Sequence, residues 1–374
     1  MSSEISSSPA TPVQRPAVVV PVLSEAHRAL QVELCASANS LPVPHRTEWL
    51  EGVGPATGHF IGALDSVGRC VGGLVAESAA SRALPGHRLL RVQRYIPPAD
   101  PSVEASLLDG LRDLAQGDRS VLRVGIELTA LDLERRRASE ALLAERGFVR
   151  ASASRSYTHT LLVDLRPDEP ALLAGLHATA RRKIRAAAKA PVEVRPLTEE
   201  RWAGRVAELL GLSLDRTGGH VGRLDWGPCI AFSRACPSLS RLVGLFRADG
   251  AGDEALIAFA WGLNHGDAAH YEAGGSTRAT DLKVSMTYPL MWDLLCWAKS
   301  SGCARFDLGG VTAGHFGDGE DALGGISDFK RYFSQQEAEV GAEWVLEPRP
   351  GRARLARFIG STARRLSSLR GRPT

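Results

Sequence analysis

The sequence predicts a mixed α/β protein with two similar halves, and three observations support this prediction. First, the 374-residue chain is 44% hydrophobic and has a net charge of only +3, a composition that excludes wholesale disorder. Second, its length suggests about two or three domains of roughly 150 residues each. Third, both halves repeat one order of predicted elements: a strand, helices, a three-strand meander, a helix, a strand, a helix and a strand.

The first half follows a Ser- and Pro-rich segment, residues 1–16, which we expect to be a disordered tail. Pro21 favours an edge position for the first strand. Ser66-Val67-Gly68 indicates a hairpin between the second and third strands, and Gly147 ends the last helix. We predict strands at 17–23, 59–65, 69–77, 89–96, 121–128 and 157–165, and helices at 24–38, 102–116 and 131–146.

The second half repeats this order. We predict strands at 192–197, 239–247, 255–263, 268–273, 304–308 and 339–346, and helices from Thr198, at 228–236, at 282–300 and near 324–333. The sequence therefore predicts an N-terminal domain at 17–170, a C-terminal domain at 171–347 and a basic C-terminal tail at 348–374.

A basic helix is predicted at 172–189 (LLAGLHATARRKIRAAAK), as the first element of the C-terminal domain. No acidic residue lies between Glu169 and Glu193. Two interpretations stay open: the charges are solvated and favour the helix dipole, or they contact phosphates of a nucleotide-linked substrate or of RNA. The basic residues are Arg181, Arg182, Lys183, Arg185 and Lys189.

The C-terminal tail is a second basic region. From Pro348 onward it holds eight arginines and no Asp or Glu. It also has a modest apolar face, formed by Leu355, Phe358, Ile359, Leu366 and Leu369. We expect this tail to bind RNA, to lie on an anionic membrane surface, or to be a disordered solubilising segment.

Several protein classes are excluded. No stretch approaches 18 consecutive apolar residues, so no membrane span is predicted. Residues 1–16 have neither the basic nor the apolar region of a secretory signal. The six scattered cysteines form no C-x-x-C and no zinc-ligand spacing. We therefore expect reduced thiols, no metal and a cytoplasmic location.

The order of elements resembles the fold of the GCN5-related N-acetyltransferases (GNAT), in which a splayed mixed sheet holds an acyl donor. An acetyl-CoA enzyme of this fold binds pyrophosphate at a glycine-containing loop that enters the helix after the fourth strand. Here Gly274 and Gly275 come too early, and the segment TRATDLKVS has no glycine. We therefore expect an activated acyl donor other than coenzyme A.

Over about residues 40–346 the chain resembles the Fem family of peptidoglycan-bridge aminoacyltransferases, which are tandem acyltransferase-fold proteins. An ordered series of segments forms the likeness: TLLVDL (160–165), LHATARRKIRAAAK (176–189), DRTGGHVGR (215–223), HYEAGGSTR (270–278), ARFDLGGV (304–311) and GISDFKRYF (325–333). The resemblance implies peptide-bond formation, by attack of an acceptor amine on the ester of an aminoacyl-tRNA, with no cofactor.

The resemblance also suggests site residues. Aminolysis of an ester builds negative charge on the carbonyl and leaving oxygens, and Lys330 is the candidate cation that stabilises it. Asp307, at the end of a predicted strand, is the second catalytic candidate, and it either orients the acceptor amine or caps the amides of Gly309–Gly310. The substrate-binding candidates are Phe329, Tyr271, Glu272, Arg216 and Arg223; Tyr271 and Glu272 alternate along a strand, so only one of them faces the site.

The sequence departs from the family pattern in two places. It has no long helical arm in its second half. RYIPPADP (94–101) stands where a charged, glycine-containing turn normally helps to seat a sugar-nucleotide acceptor. The acceptor is therefore either a peptidoglycan precursor or a small natural-product amine. Two other hypotheses stay open: an acyl-CoA-dependent N-acyltransferase, and a non-catalytic RNA-binding or membrane-peripheral protein. We expect a monomer.

Overall fold

The computed structural model describes residues 16–36, 41–55, 57–217, 224–277, 282–312 and 326–370. The chain divides into two compact units. Unit 1 comprises residues 1–50, 55–155 and 341–374, and unit 2 comprises residues 51–54 and 156–340. The predicted disordered tail lies outside the described residues, except for Pro16.

Unit 1 is a seven-stranded mixed sheet with helices. Its elements are β1 (Val18–Pro21), α1 (Glu25–Ala36), α2 (Thr47–Gly52), β2 (Gly58–Leu64), β3 (Cys70–Ala80), β4 (Arg88–Tyr95), α3 (Pro101–Gly117), β5 (Val121–Leu128), α4 (Leu133–Glu145), β6 (Val149–Arg150), β14 (Glu343–Leu346) and α11 (Pro350–Arg370). The strand order is β1-β2-β3-β4-β5-β14-β6. β1 is therefore an edge strand, as Pro21 predicts.

Local sequence signals account for the ends of three unit 1 elements. The Asp65 carboxylate accepts hydrogen bonds from the backbone N–H groups of Val67 and Arg69 and thereby closes the β2–β3 hairpin. Asp100 caps α3 by accepting from the backbone N–H of Ser102 at 2.8 Å. Gly147 follows α4 with φ +81°, the left-handed conformation expected after a helix C-terminus.

Unit 2 holds a second seven-stranded mixed sheet. Its elements are β7 (His159–Asp164), α5 (Glu169–Gly175), α6 (Ala178–Ala187), β8 (Val192–Pro196), α7 (Ala203–Thr217), α8 (Trp226–Ala235), β9 (Ser240–Arg247), β10 (Leu256–Asn264), β11 (Ala268–Ser276), α9 (Thr287–Ser300), β12 (Arg305–Gly310), α10 (Ile326–Arg331) and β13 (Glu337–Glu339). The strand order is β13-β7-β12-β11-β10-β9-β8. The two halves thus form similar sheets, as predicted.

Two strands lie in a different sheet from the one we predicted. The strand expected to close the first half, at 157–165, is β7, which pairs with β12 and β13 in unit 2. The single final strand expected at 339–346 is two strands: β13 in the unit 2 sheet, and β14 between β5 and β6 in unit 1. Gly341, with φ +139°, separates them. The two compact units divide near residues 155 and 341.

One face of the unit 2 sheet carries the apolar core. Leu161 and Val163 of β7, Ala269 of β11, and Phe306 and Leu308 of β12 are buried there among side chains of α6 and α9. Along these strands the intervening residues are polar or lie on the other face, as period-two alternation requires.

None of the helices in the described ranges is long and apolar enough to cross a bilayer. All six cysteines are free thiols.

Candidate active site at the end of strand β12

The C-terminal end of β12 is an irregular Gly-Gly segment. The register of β12 against β7 shifts between Asp307 and Gly310, and Gly309 has φ +77°, a conformation that costs glycine little. A Cβ on Gly310 would lie 2.7 Å from Cβ of Tyr157, so a side chain there would collide with the tyrosine. Glycine is therefore required at both positions for this strand end to form, and β-bulges of this kind often re-aim groups beside active sites.

Asp307 holds this segment from within the sheet. Its carboxylate is buried and accepts hydrogen bonds from the Tyr157 hydroxyl at 2.7 Å, from the backbone N–H of Gly309 at 2.8 Å, and from the Thr160 hydroxyl. Of the two roles open to Asp307 in the sequence, these bonds favour capping of the Gly309 amide. They make Asp307 a residue that positions the strand end.

Lys330 approaches the same dipeptide from α10. Its side chain is 6% exposed, and Nζ donates a hydrogen bond to the carbonyl oxygen of Gly310 at 2.7 Å. A Cβ on Gly309 would lie 3.4 Å from Lys330 Nζ. The two catalytic candidates thus meet at one dipeptide, with Asp307 on the Gly309 amide and Lys330 on the Gly310 carbonyl. A buried ammonium of this kind supplies a fixed positive charge in a medium of low dielectric constant.

Arg331 is a second buried cation, which our sequence reasoning did not select. Its side chain is 7% exposed; it donates to the carbonyl oxygen of Thr312 at 3.0 Å and pairs with Asp328 at 3.2 Å. The Ser327 hydroxyl accepts from the backbone N–H of Thr312 at 3.1 Å. Together these bonds tie the chain that leaves β12 to α10. The available signal was the adjacency of two basic residues in the apolar-flanked segment FKRYF.

The basic helix and the GISDFKRYF segment meet at Tyr288, near the start of α9. The Tyr288 ring lies 5.0 Å from that of Phe329 and 5.5 Å from that of Phe333. Lys183 Nζ lies 4.4 Å above the Tyr288 ring and donates to its hydroxyl at 3.4 Å. Burial, followed by repulsion from Arg182, lowers the pKa of Lys183. The structure therefore brings the predicted residues Lys183 and Phe329 into one aromatic cluster.

The predicted helix at 172–189 is two helices. α5 ends at Gly175, α6 begins at Ala178, and the His177 imidazole caps α6 by accepting from the Thr179 N–H at 3.2 Å. Arg181 turns back to donate to the carbonyl of Ala174 at 2.9 Å and to that of Leu176. Lys189 follows the end of α6. Arg181 is thus half-buried, and the exposed cations here are Arg182, Arg185 and Lys189.

Tyr271 and Glu272 face different surroundings. Tyr271 packs against the apolar core of unit 2, and burial raises its pKa well above the ordinary value. Gly274 leaves the room that its ring needs, since a Cβ there would lie 2.1 Å from the tyrosine hydroxyl oxygen. Glu272 falls where the register of β11 against β10 shifts, and its carboxylate is exposed. Tyr271 is therefore the member of the pair that packs on the core.

Glu272 is joined instead to a pair of buried histidines. His270 Nε2 lies 2.6 Å from Glu272 Oε2, and His270 Nδ1 lies 2.7 Å from His265 Nε2. Because the carboxylate only accepts, His270 carries a proton on Nε2. His270 Nδ1 and His265 Nε2 share a second hydrogen bond. This chain fixes both ring orientations and holds the bulged Glu272 in one place.

Two predicted residues are not placed by side-chain contacts. Arg216 lies in the last turn of α7, and its side chain is outside the described set. Arg223 lies outside the described residues altogether. Within the described ranges no group of three or more His, Cys, Asp or Glu side chains is arranged to hold a metal ion.

Comparison with known proteins relates this geometry to a fold family. Residues 174–331 match the family model described as "Acetyltransferase (GNAT) domain". The crystal structure of FemX is similar to this chain with a TM-score of 0.65 at 14% identity, covering 88% of this chain and 97% of that one. No match was found among curated protein sequences.

Two further solved structures share this fold. A tandem GNAT protein from the clavulanic acid biosynthesis pathway, solved without AcCoA, has a TM-score of 0.52 at 15% identity, covering 89% of this chain and 98% of that one. L-PGS from Bacillus licheniformis has a TM-score of 0.50 at 14% identity, covering 89% and 96%. The predicted fold class, two tandem GNAT-like domains, is confirmed, and so is the resemblance of this chain to a Fem protein in fold.

Proposed function

We propose that this chain, which has the tandem GNAT acyltransferase fold, transfers an aminoacyl group from aminoacyl-tRNA to an acceptor amine and forms an amide bond. The observation that carries the proposal is the buried Lys330 ammonium at the irregular end of β12. The acceptor is a peptidoglycan precursor or a small amine. The likeness to FemX in fold supports this class of reaction.

The chemistry needs a cation where Lys330 lies. The acceptor nitrogen attacks the ester carbonyl carbon, so that a C–N bond forms and negative charge builds on the carbonyl oxygen. The C–O bond to the tRNA ribose then breaks, and the ribose oxygen takes up a proton that the amine loses. Lys330 Nζ stabilises the oxygen charge in both steps, and Asp307 positions the strand end beside it. Such a preorganised donor contributes about 3–4 kcal/mol to transition-state stabilisation.

The proposed contacts to substrate come from three places. The exposed cations Arg182, Arg185 and Lys189 contact tRNA phosphates, while Lys183 and Arg181 orient the segment that presents them. Phe329 and Tyr271 contact the reacting groups beside Lys330. Arg216, Arg223 and Glu272 are the proposed contacts to the acceptor.

The connection between β4 and α3 in unit 1 argues against coenzyme A as the donor there. Backbone N–H groups at a helix N-terminus bind pyrophosphate, but proline has no N–H. Pro97, Pro98 and Pro101 occupy this connection, and the Asp100 carboxylate already caps the helix. A negative side chain at this position repels a phosphate. In unit 2, the segment that enters α9 has no glycine between Thr277 and Met286.

The decisive experiment separates the two donors. The purified chain is supplied with charged tRNAs and candidate amines, and the products are identified by mass spectrometry, with and without RNase. We expect an aminoacylated amine that disappears after RNase treatment. The matched arm replaces charged tRNA with acyl-CoA. Undiminished turnover in an RNA-free mixture containing acyl-CoA would establish the acyl-CoA-dependent alternative and overturn the proposal.

A further inference from the structure

The C-terminal helix α11 is anchored to unit 1 by its first turns. The Arg349 guanidinium donates to the carbonyl oxygens of Gln116 at 2.8 Å and Asp118 at 2.9 Å, at the end of α3. Arg352 donates to the carbonyl of Arg119 at 3.0 Å. Cations suit the C-terminal end of a helix, where carbonyl oxygens lack partners. These bonds fix where α11 begins.

The side of α11 that packs on unit 1 is made of small residues. Ala353 is buried, Ala356 and Gly360 are partly buried, and a Cβ on Gly360 would lie 3.8 Å from Cβ of Ala83. Small residues let a helix backbone approach its neighbour closely. The large apolar residues of α11 are therefore not used for this packing.

The large apolar residues point away from unit 1. Leu355, Phe358 and Ile359 are 49%, 70% and 38% exposed, respectively. At 3.6 residues per turn these positions fall within one stripe about 100° wide, and Leu366 and Leu369 continue the same spacing in the sequence. A surface helix normally buries such a stripe. Here the stripe faces solvent over at least its described part.

Positive charge borders this stripe. In helical projection the exposed residues Arg354 and Arg352 fall on opposite sides of it. The segment from Pro348 onward has no acidic residue. Exposed phenylalanine and leucine flanked by arginines are the composition of helices that lie in the plane of a bilayer interface, where long basic side chains reach the headgroups.

We propose that α11 binds the surface of an anionic phospholipid bilayer, with the Leu355–Phe358–Ile359 stripe in the acyl boundary and the flanking arginines on headgroup phosphates. RNA binding requires the arginines alone and leaves an exposed apolar stripe unexplained. A bilayer matches both the stripe and its charged borders. This site is separate from the residues of the proposed reaction.

Vesicle cosedimentation of the full-length protein tests the proposal. We expect binding to vesicles that contain phosphatidylglycerol, little binding to phosphatidylcholine alone, and weaker binding as salt concentration rises. The double variant Phe358→Ser/Ile359→Ser should lower the affinity by roughly tenfold or more, because two apolar anchors are lost. Far-UV circular dichroism checks that the variant stays folded. The matched control is Val32→Ser/Val67→Ser, which changes two exposed valines of unit 1, 69% and 70% exposed, and should leave binding intact.

Three outcomes would overturn the proposal. The first is equal binding to both vesicle types or to neither. The second is a protein that binds no vesicles but binds tRNA, where the tRNA binding disappears with Arg354→Glu/Arg365→Glu and is unaffected by Phe358→Ser/Ile359→Ser. The helix would then be an RNA contact. The third is self-association of the chain that depends on Phe358, seen by sedimentation velocity without lipid, which would make the stripe an interface between copies.

Discussion

Lys330→Met separates the catalytic role of the buried ammonium from its structural role. Methionine keeps a long unbranched side chain but removes the charge and the hydrogen bond to the Gly310 carbonyl. A hydrogen bond to a charged group stabilises a fold by about 1.5–3 kcal/mol. Because the variant also removes a buried charge, part of that loss is recovered. We therefore expect the free energy of unfolding to fall by no more than about 2 kcal/mol.

The reaction rate should change far more. If Lys330 Nζ stabilises the developing oxygen charge, its removal costs about 2.7–4 kcal/mol in the transition state and lowers kcat by about 10²–10³-fold. The KM for the acceptor should change little, because the interaction is made in the transition state. Steady-state aminoacyl transfer and urea denaturation measure the two effects on the same preparation.

Lys299→Met is the matched control. Lys299 Nζ donates to the carbonyl oxygen of Leu165 at 2.9 Å, a bond of the same kind, from the last turn of α9. We expect a similar effect on unfolding and an unchanged kcat. If Lys299→Met slows the reaction as much as Lys330→Met, or if Lys330→Met keeps the full rate, the ammonium has only a structural role.

Three further predictions concern the fold around the site. Gly275→Ala should lower the free energy of unfolding by about 1–3 kcal/mol, because its Cβ would lie 2.5 Å from a backbone oxygen of α7. The control Gly211→Ala lies within α7, where a Cβ meets nothing within 4 Å, and it should raise the free energy of unfolding by about 0.5–1 kcal/mol. Thermal unfolding compares the two variants. Tyr157→Phe removes a donor to the Asp307 carboxylate and should cost about 1.5–3 kcal/mol in urea denaturation. Burial lowers the pKa of His45 to about 4, so between pH 6.5 and 4 the unfolded state binds a proton that the folded state does not. The free energy of unfolding should therefore fall as the pH is lowered through that range, by up to about 1.4 kcal/mol per pH unit. Denaturation curves of His45→Gln at several pH values should show a shallower fall.

Local sequence signals were sufficient to predict where most helices and strands begin and end. Proline at position 21 and the glycine at 147 act on their immediate neighbours, so their consequences follow from the sequence. The assignment of β7 and β14 to sheets did not follow, because pairing of β14 with β5 joins residues more than two hundred positions apart. Periodicity reports which face of a strand is buried but not which strand lies beside it.

In the candidate site, too, the residues could be predicted from the sequence but part of the chain path around them could not. Lys330, Asp307, Phe329 and Lys183 were singled out from the sequence, and the structure places the first pair on one Gly-Gly segment and the second pair on Tyr288. We did not predict that the 172–189 helix is interrupted at His177, because this segment contains no proline and no internal capping serine. The return of Arg181 to the α5 carbonyls depends on that break. Arg331 was missed because its burial depends on the path of residues 310–312.

The position of β14 has a consequence during synthesis on the ribosome. The sheet that begins at residue 18 cannot close between β5 and β6 until residues 343–346 have left the exit tunnel. At roughly 5–20 residues per second, translation of the intervening stretch from β6 to β14 takes about 10–40 s. For that time the nascent chain exposes the unpaired backbone edges of β5 and β6. A chaperone or the emerging chain itself must shield those edges from neighbouring polypeptides.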